Sequence, residues 1–256
     1  MPTFLVGAVG DDLFRELTLD ALTAEGVHTE AVAVVPGSTG IAHIRVDARS
    51  GQNDIAIVPG ANSEVAPQQA TAQLHELADR IEVVLLQLEI PIDTVVACAR
   101  RAKELGCVVI LDPAPAQALA DEIWPLVDVV TPNETEAEVL TGVRVGDHDS
   151  AVAAGRWFVD RGAGAAIITM AERGVVIVRG DEVRTHSAFP VEPVDTTAAG
   201  DAFAGSLGAS LARHDDWDAA VVRALAAGAL AVTVRGASPS LPTAAQVDAY
   251  LAAHPR

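Results

Sequence analysis

Val83-Val84-Leu85-Leu86-Gln87-Leu88 is an apolar run with one polar member, followed by Glu89-Ile90-Pro91. A run this continuous predicts a strand buried on both faces, the habit of strands inside a parallel sheet. Pro91 suits the first turn of a helix, where its missing N–H costs nothing, and Gly106 suits that helix's stop. Val108-Val109-Ile110-Leu111 then opens a second strand. Strand, helix and strand over 83–111 make a β-α-β unit, whose strands lie parallel.

The alternation continues outward from this unit. Toward the C-terminus, 127–131 reads as a strand, 134–141 and 150–161 as helices, and 167–170 and 175–178 as strands. The Ala-rich stretch after Thr196 reads as helical. Toward the N-terminus, 67–81 is a helix with Leu74 and Leu77 at helical spacing, 13–25 a helix closed by Gly26, and 4–9 a strand. Residues 41–46 and 55–58 flank Ser50-Gly51-Gln52-Asn53, a hairpin pattern that looks like a flap or lid. The predicted class is α/β, three layers α/β/α around a mostly parallel sheet. A single domain is expected over 1–256, with 40–59 contributing a small β lid.

The composition narrows the function. Fifty per cent of the 256 residues are hydrophobic, enough for a large core and too many for intrinsic disorder. A net charge of −18 argues against a nucleic-acid partner, because phosphate backbones reward Lys and Arg. Lys103 is the single lysine, so a mechanism that needs a lysine has one candidate. Cys98 and Cys107 form no framework or Cys-x-x-Cys pair, which fits a reduced, cytoplasmic setting. Residues 1–10 lack the basic start of a signal peptide, and no apolar run reaches the roughly 18 residues of a membrane span. The P-loop, the dinucleotide-binding glycine motif and the Gly-x-Ser-x-Gly elbow are missing, and the histidines show no metal-ligand spacing.

Ligands of such sheets bind beyond the carboxyl ends of the strands. The strongest local pattern there is Asp195-Thr196-Thr197-Ala198-Ala199-Gly200-Asp201. Small residues at a helix start leave backbone N–H groups uncovered, and the helix dipole adds roughly half a positive charge. Ala198, Ala199 and Gly200 thus form an anion hole, and Asp201 stands beside it to accept a proton from an attacking hydroxyl. The plainer alternative makes Asp201 an ordinary first-turn acid and the small residues packing residues. Asn133-Glu134-Thr135-Glu136 also reads two ways: a nucleotide contact with a partner for hydrated Mg²⁺, or a capping box. Glu89 is either a ligand for sugar hydroxyls or a solvated loop residue. Thr169-Met170-Ala171-Glu172-Arg173-Gly174 is either a nucleotide loop or a turn.

Taken in order, these strings resemble the ribokinase-like (PfkB) carbohydrate kinases. Asp195-Thr-Thr-Ala-Ala-Gly-Asp201 is similar to the family's C-terminal signature and Asn133-Glu-Thr-Glu136 to its Asn-x-x-Glu motif. Thr39-Gly40, Pro59-Gly-Ala-Asn62, Leu88-Glu89, Asp112-Pro-Ala-Pro115 and Gly236-Ala-Ser-Pro-Ser240 sit where the family has similar strings, from about residue 3 to 249. The resemblance implies the ribokinase-like fold and ATP-dependent phosphorylation of D-ribose at its 5-hydroxyl. It makes Asp201 the base, with Ala198, Ala199 and Gly200 as the anion hole. It places ATP at Asn133, at Thr169, Met170, Ala171, Glu172, Arg173 and Gly174, and at Gly200 and Asp201. Glu136 would support Mg²⁺ through water, and Glu89 and Asp201 would hold the sugar. Asp195, the carbonyls of Thr197, Ala231, Val234 and Gly236, and Ser240 would hold an activating K⁺. The partners implied are the sugar and ATP, with no nucleic acid or membrane, and a homodimer through the lid.

The sequence departs from the family in two places. Ala171 replaces a Gly of the nucleotide loop. The first residues resemble the family's second sheet strand, so the initial strand, an Asn-x-Asp sugar contact, a Gly-Gly-Lys-Gly-Ala-Asn loop and part of the lid are expected to be absent. An exposed, unpaired sheet edge would follow. A kinase for another sugar or a nucleoside, and a non-catalytic remnant that only binds nucleotide, are the competing readings.

Overall fold

A computed structural model describes residues 1–46 and 53–255, which group into two compact units. The first unit comprises Met1–Ile81 with Gln87–Leu105, and the second Glu82–Leu86 with Gly106–Arg256.

In the first unit, β1 (Thr3–Phe4) pairs in parallel with β3 (Val27–His28), and β2 (Gly7–Gly10) with β4 (Val32–Val35). Helix α1 (Leu13–Ala24) connects the two pairs. The single strand expected over 4–9 is therefore two short ones, because its pairing partner changes between Phe4 and Gly7. The expected hairpin is present: β5 (Ile41–Val46) pairs antiparallel with β6 (Asn53–Val58). The turn expected at Ser50-Gly51-Gln52-Asn53 lies, up to Gln52, outside the described residues. Asp12 pins the root of this hairpin by accepting from the Thr39 amide at 2.9 Å and the Thr39 hydroxyl at 2.7 Å. Helices α2 (Pro67–Glu76) and α3 (Ile92–Glu104) pack together, and the Thr94 hydroxyl donates to the Val65 carbonyl at 2.6 Å. Residues 78–80 form a separate 3₁₀ turn, so α2 is shorter than the predicted helix.

The second unit is built on a six-stranded sheet. Its strands are β7 (Val83–Leu86), β8 (Val108–Leu111), β9 (Val129–Val130), β10 (Ala165–Thr169), β11 (Val175–Arg179) and β12 (Glu182–His186). Their spatial order is β12-β11-β10-β9-β8-β7. The first four are parallel to one another, and β11 and β12 add an antiparallel edge. Side chains alternate across the sheet. Ile110, Val129, Ile167 and Ile177 face Phe203 and Leu207 of α6 (Ala199–Leu211) and Val221 and Ala224 of α7 (Trp217–Ala231). On the other face lie α4 (Glu134–Thr141) and α5 (His148–Val159), and Gly155 brings the α5 backbone against Val178. Helix α8 (Ala244–Ala253) packs on α7. The class is the predicted one, α/β with a mixed, mostly parallel sheet and helices on both sides.

One expectation needs correction. Strand β7 is not buried throughout: Val84 and Leu86 are buried, while Val83 and Leu85 are only partly so. It ends the six-stranded sheet, with β8 as its sole strand neighbour among the described residues. No helix of the described residues is long and apolar enough to cross a membrane.

Candidate active site

The carboxyl ends of β9 and β10 carry Asn133 and the 169–174 loop, and the other predicted clusters lie on the segments flanking α6 and α7. Asp195 leads into α6, and its carboxylate organises the approach. One oxygen accepts from the Thr197 amide at 3.0 Å and hydroxyl at 2.7 Å; the other accepts from the Gly236 amide at 2.9 Å. The Gly236 and Thr197 hydrogen bonds stabilise the anion and hold its pKa at about 2. Asp195 thereby joins the start of α6 to a loop forty-one residues later. In that loop the Ala231 carbonyl accepts from Val234, and the buried Ser240 donates to the Ala237 carbonyl at 2.7 Å.

Ala198 precedes α6 in the left-handed region, with φ +61°, and no side chain caps the helix. Its first amide, on Ala199, turns back to the Thr196 carbonyl at 3.3 Å; the amides of Gly200 and Asp201 have no acceptor among the described residues. Outside its own helix turn and chain neighbours, a Cβ built on Gly200 meets no atom of the described residues within 4 Å, so packing does not require glycine there. These open amides and this open space are what an anion hole needs. Asp201 lies in the same turn. The residue is exposed, and partial desolvation of its carboxyl pushes the pKa up.

The other predicted cluster joins β9, α4 and β10. Both readings of Asn133 had a structural expectation, and the capping box is present. The Asn133 side-chain oxygen accepts from the Glu136 amide at 2.9 Å, and Glu136 accepts from the Asn133 amide and side-chain nitrogen at 2.8 Å each. Burial pushes the Glu136 pKa up, with the Asn133 hydrogen bonds opposing it. Asn133 forms a β-bridge with Thr169, whose amide donates to Pro132 at 3.0 Å. The loop after Thr169 closes tightly, with the Met170 amide donating to Gly174 at 2.8 Å. Met170 is buried. Ala171 sits at φ +47°, a left-handed conformation that favours glycine. Gly174, at φ +89°, has no alternative: a Cβ would lie 2.0 Å from the His186 carbonyl oxygen.

Two placements were not visible in the sequence. Arg173 bonds Glu134 at 2.9 Å across thirty-nine residues and also bonds the Gly146 carbonyl. Glu89 lies in the first unit, exposed just after the buried Leu88. The described residues contain no cluster of three or more His, Cys, Asp or Glu able to hold a metal ion.

An uncapped helix start beside an aspartate suits an anion, and similarity to known proteins gives the class. The pattern of the pfkB family carbohydrate kinases matches residues 2–244, and the chain belongs to that family. It is 39% identical to a ribokinase of Haemophilus influenzae over 250 residues, 96% of this chain and 80% of that protein. It is 37% identical to a deoxyribokinase of Salmonella typhi over 245 residues, 95% of this chain and 79% of that one. The solved structure of an Arabidopsis thaliana ribokinase complexed with ribose and ATP matches with TM-score 0.90 at 31% identity, over 98% of this chain and 82% of that one. The chain is a sugar kinase of the PfkB family.

Proposed function

We propose that this kinase transfers the γ-phosphoryl group of ATP to the 5-hydroxyl of D-ribose, giving ribose 5-phosphate and ADP. The observation that carries the reading is the start of α6, where uncapped amides and open space at Gly200 adjoin the raised-pKa carboxyl of Asp201. Asp201 takes the proton of the 5-hydroxyl as its oxygen attacks the γ-phosphorus. The amides of Gly200 and Asp201 meet the charge that develops on the transferring group, and the bond to ADP breaks. Such a transfer depends on positioning and electrostatics more than on covalent help.

Asn133 and the 169–174 loop, joined by the bridge at Thr169, supply the ATP contacts in this reading. Glu136 fits a water-mediated Mg²⁺ role, since Asn133 fixes both its oxygens and leaves each a lone pair; the ion neutralises phosphate charge when bound. Asp195, with the carbonyls of Thr197, Ala231, Val234 and Gly236 and with Ser240, fits a K⁺ site because its carboxylate stays ionised at any working pH. Glu89 binds sugar hydroxyls. The chain acts in the cytoplasm, where its two buried thiols stay reduced. It works as one kinase domain with the β5–β6 hairpin as its lid, and exposed Ile41, Ile57 and Val58 on that hairpin suit pairing of two copies.

The deoxyribokinase relative favours a second acceptor, 2-deoxy-D-ribose. ADP release measured with each sugar, ATP and Mg²⁺, with and without K⁺, tests the assignment. Turnover of D-ribose that rises with K⁺ is the expected result. Preference for 2-deoxy-D-ribose moves the assignment to that sugar, and ATP binding without turnover of either rejects both.

A further inference from the structure

Arg173 falls inside the predicted nucleotide loop, yet its guanidinium is already engaged. One end bonds the Glu134 carboxylate at 2.9 Å, and the other bonds the Gly146 carbonyl. Asp147, the next residue, lies near enough for the arginine's charge to act on it. Three chain segments therefore converge on one side chain: the 169–174 loop, the first turn of α4, and the 142–147 connection into α5. The planar fork of arginine suits this, because it donates in two fixed directions at once. Both ends of the fork are directed at protein oxygens, and a guanidinium neutralised by Glu134 attracts phosphate less.

The loop needs such a hold. Its internal bonds, Met170 to Gly174 and Arg173 to Met170, close the turn on itself. The Thr169 amide ties only its first residue to the strand end at Pro132. Beyond that point the backbone runs through Ala171 at φ +47°, a conformation that costs a non-glycine residue roughly 1–2 kcal/mol. The α4 turn that Glu134 belongs to also carries Asn133 and Glu136.

We infer that Arg173 is a positioning residue: by bracketing the loop to Glu134 and Gly146, it presents the loop backbone and Asn133 to the nucleotide as one fixed surface. The inference rests on the proposed ATP site. It assigns the nucleotide contacts of this segment to backbone and to Asn133, and none to the arginine side chain.

The test compares the full chain with Arg173→Ala, Glu134→Ala and the double variant. Each single change is expected to raise the KM for ATP about threefold to tenfold, the range of one exposed charge-assisted contact. The value of kcat at saturating ATP and the KM for sugar stay within about twofold of the parent. The double variant matches the singles, because both remove the same bracket. Amide exchange at 171–174, measured without nucleotide, should quicken alike in all three variants. An Arg173→Ala effect on ATP that Glu134→Ala lacks, or additive effects in the double variant, would overturn the inference and make Arg173 a direct ligand. Unchanged exchange would also overturn it. A parent chain that binds no ATP rejects the functional reading instead, and the exchange data then still decide whether the bracket exists.

Discussion

Replacing Asp201 by Asn keeps the side chain's size and removes its capacity to take a proton. A positioned general base is worth about 10²–10⁴ in rate, which is about 3–5 kcal/mol of barrier at 1.36 kcal/mol per decade. The fold should not lose with it. Burial raises the Asp201 pKa above the usual 3.8, so this carboxyl favours the folded state below the unfolded pKa, and that contribution is lost as pH rises through the folded value. At pH 7 the ionised group is a burden, and Asp201→Asn is expected to melt no lower than the parent. Nor should ATP affinity fall, since the change removes a negative charge from beside the anion hole. ADP release as ATP and sugar are titrated separates these effects: kcat drops by two to four decades while the KM for ATP holds. The parent's kcat/KM should also show an acid limb lying above the pH at which a free aspartate titrates, and no such limb should remain for the Asn variant. A kcat within tenfold of the parent, or a KM for ATP that climbs in step with the loss of rate, would refute the assignment of Asp201 as base.

Further expectations follow from the close contacts. Gly174→Ala drives a Cβ to 2.0 Å from the His186 carbonyl and 2.6 Å from the Ala188 nitrogen at φ +89°, and should cost roughly 2–5 kcal/mol in urea unfolding. A loss below 1 kcal/mol would mean that the loop is looser than its hydrogen bonds imply. Gly155→Ala and Gly208→Ala form a matched pair, both in buried helix positions. The first meets the β-branched Val178 at 2.5 Å and should lose about 1–2 kcal/mol net of helix propensity. The second meets only the mobile tip of Leu85 at 2.6 Å and should come out near zero; the reverse order would contradict the packing. Asp195→Asn tests the depressed pKa. Ionised Asp195 stabilises the fold above its unfolded value near 3.8, so the denaturant midpoints of parent and variant should differ at pH 7 and converge as pH falls toward 2. A difference that persists at the acid end would show that charge is not the cause.

What the sequence made legible was what is local. Helix α4 runs over the residues its capping pattern predicts, and α3 ends before Gly106 as its stop signal requires. The start of α6 was readable because small residues and an acid cluster within one turn. Strand β12 was missed because Glu182-Val-Arg-Thr-His186 is mostly polar, as befits the last strand of a sheet. Strand 127–131 shrinks to two residues, since only Val129 and Val130 pair with both neighbouring strands. Nothing in an alanine's identity announces a left-handed backbone, so Ala198 gave no warning, and at Ala171 the one hint was the Gly of the resembling family. The bonds from Asp195 to Gly236 and from Arg173 to Glu134 span forty-one and thirty-nine residues, and no spacing rule reaches that far.

The vacancy around Gly200 sets two demands on one residue against each other. Since no atom of the other described segments approaches a Cβ there, alanine would favour α6 by roughly 1 kcal/mol of helix propensity without a clash. Selection for thermal robustness alone would therefore replace this glycine. Its retention in a working enzyme would measure how much the missing methyl matters to the incoming phosphate, so a library sorted first for stability and then for turnover should split at position 200, whereas at Gly174 the two sorts would agree.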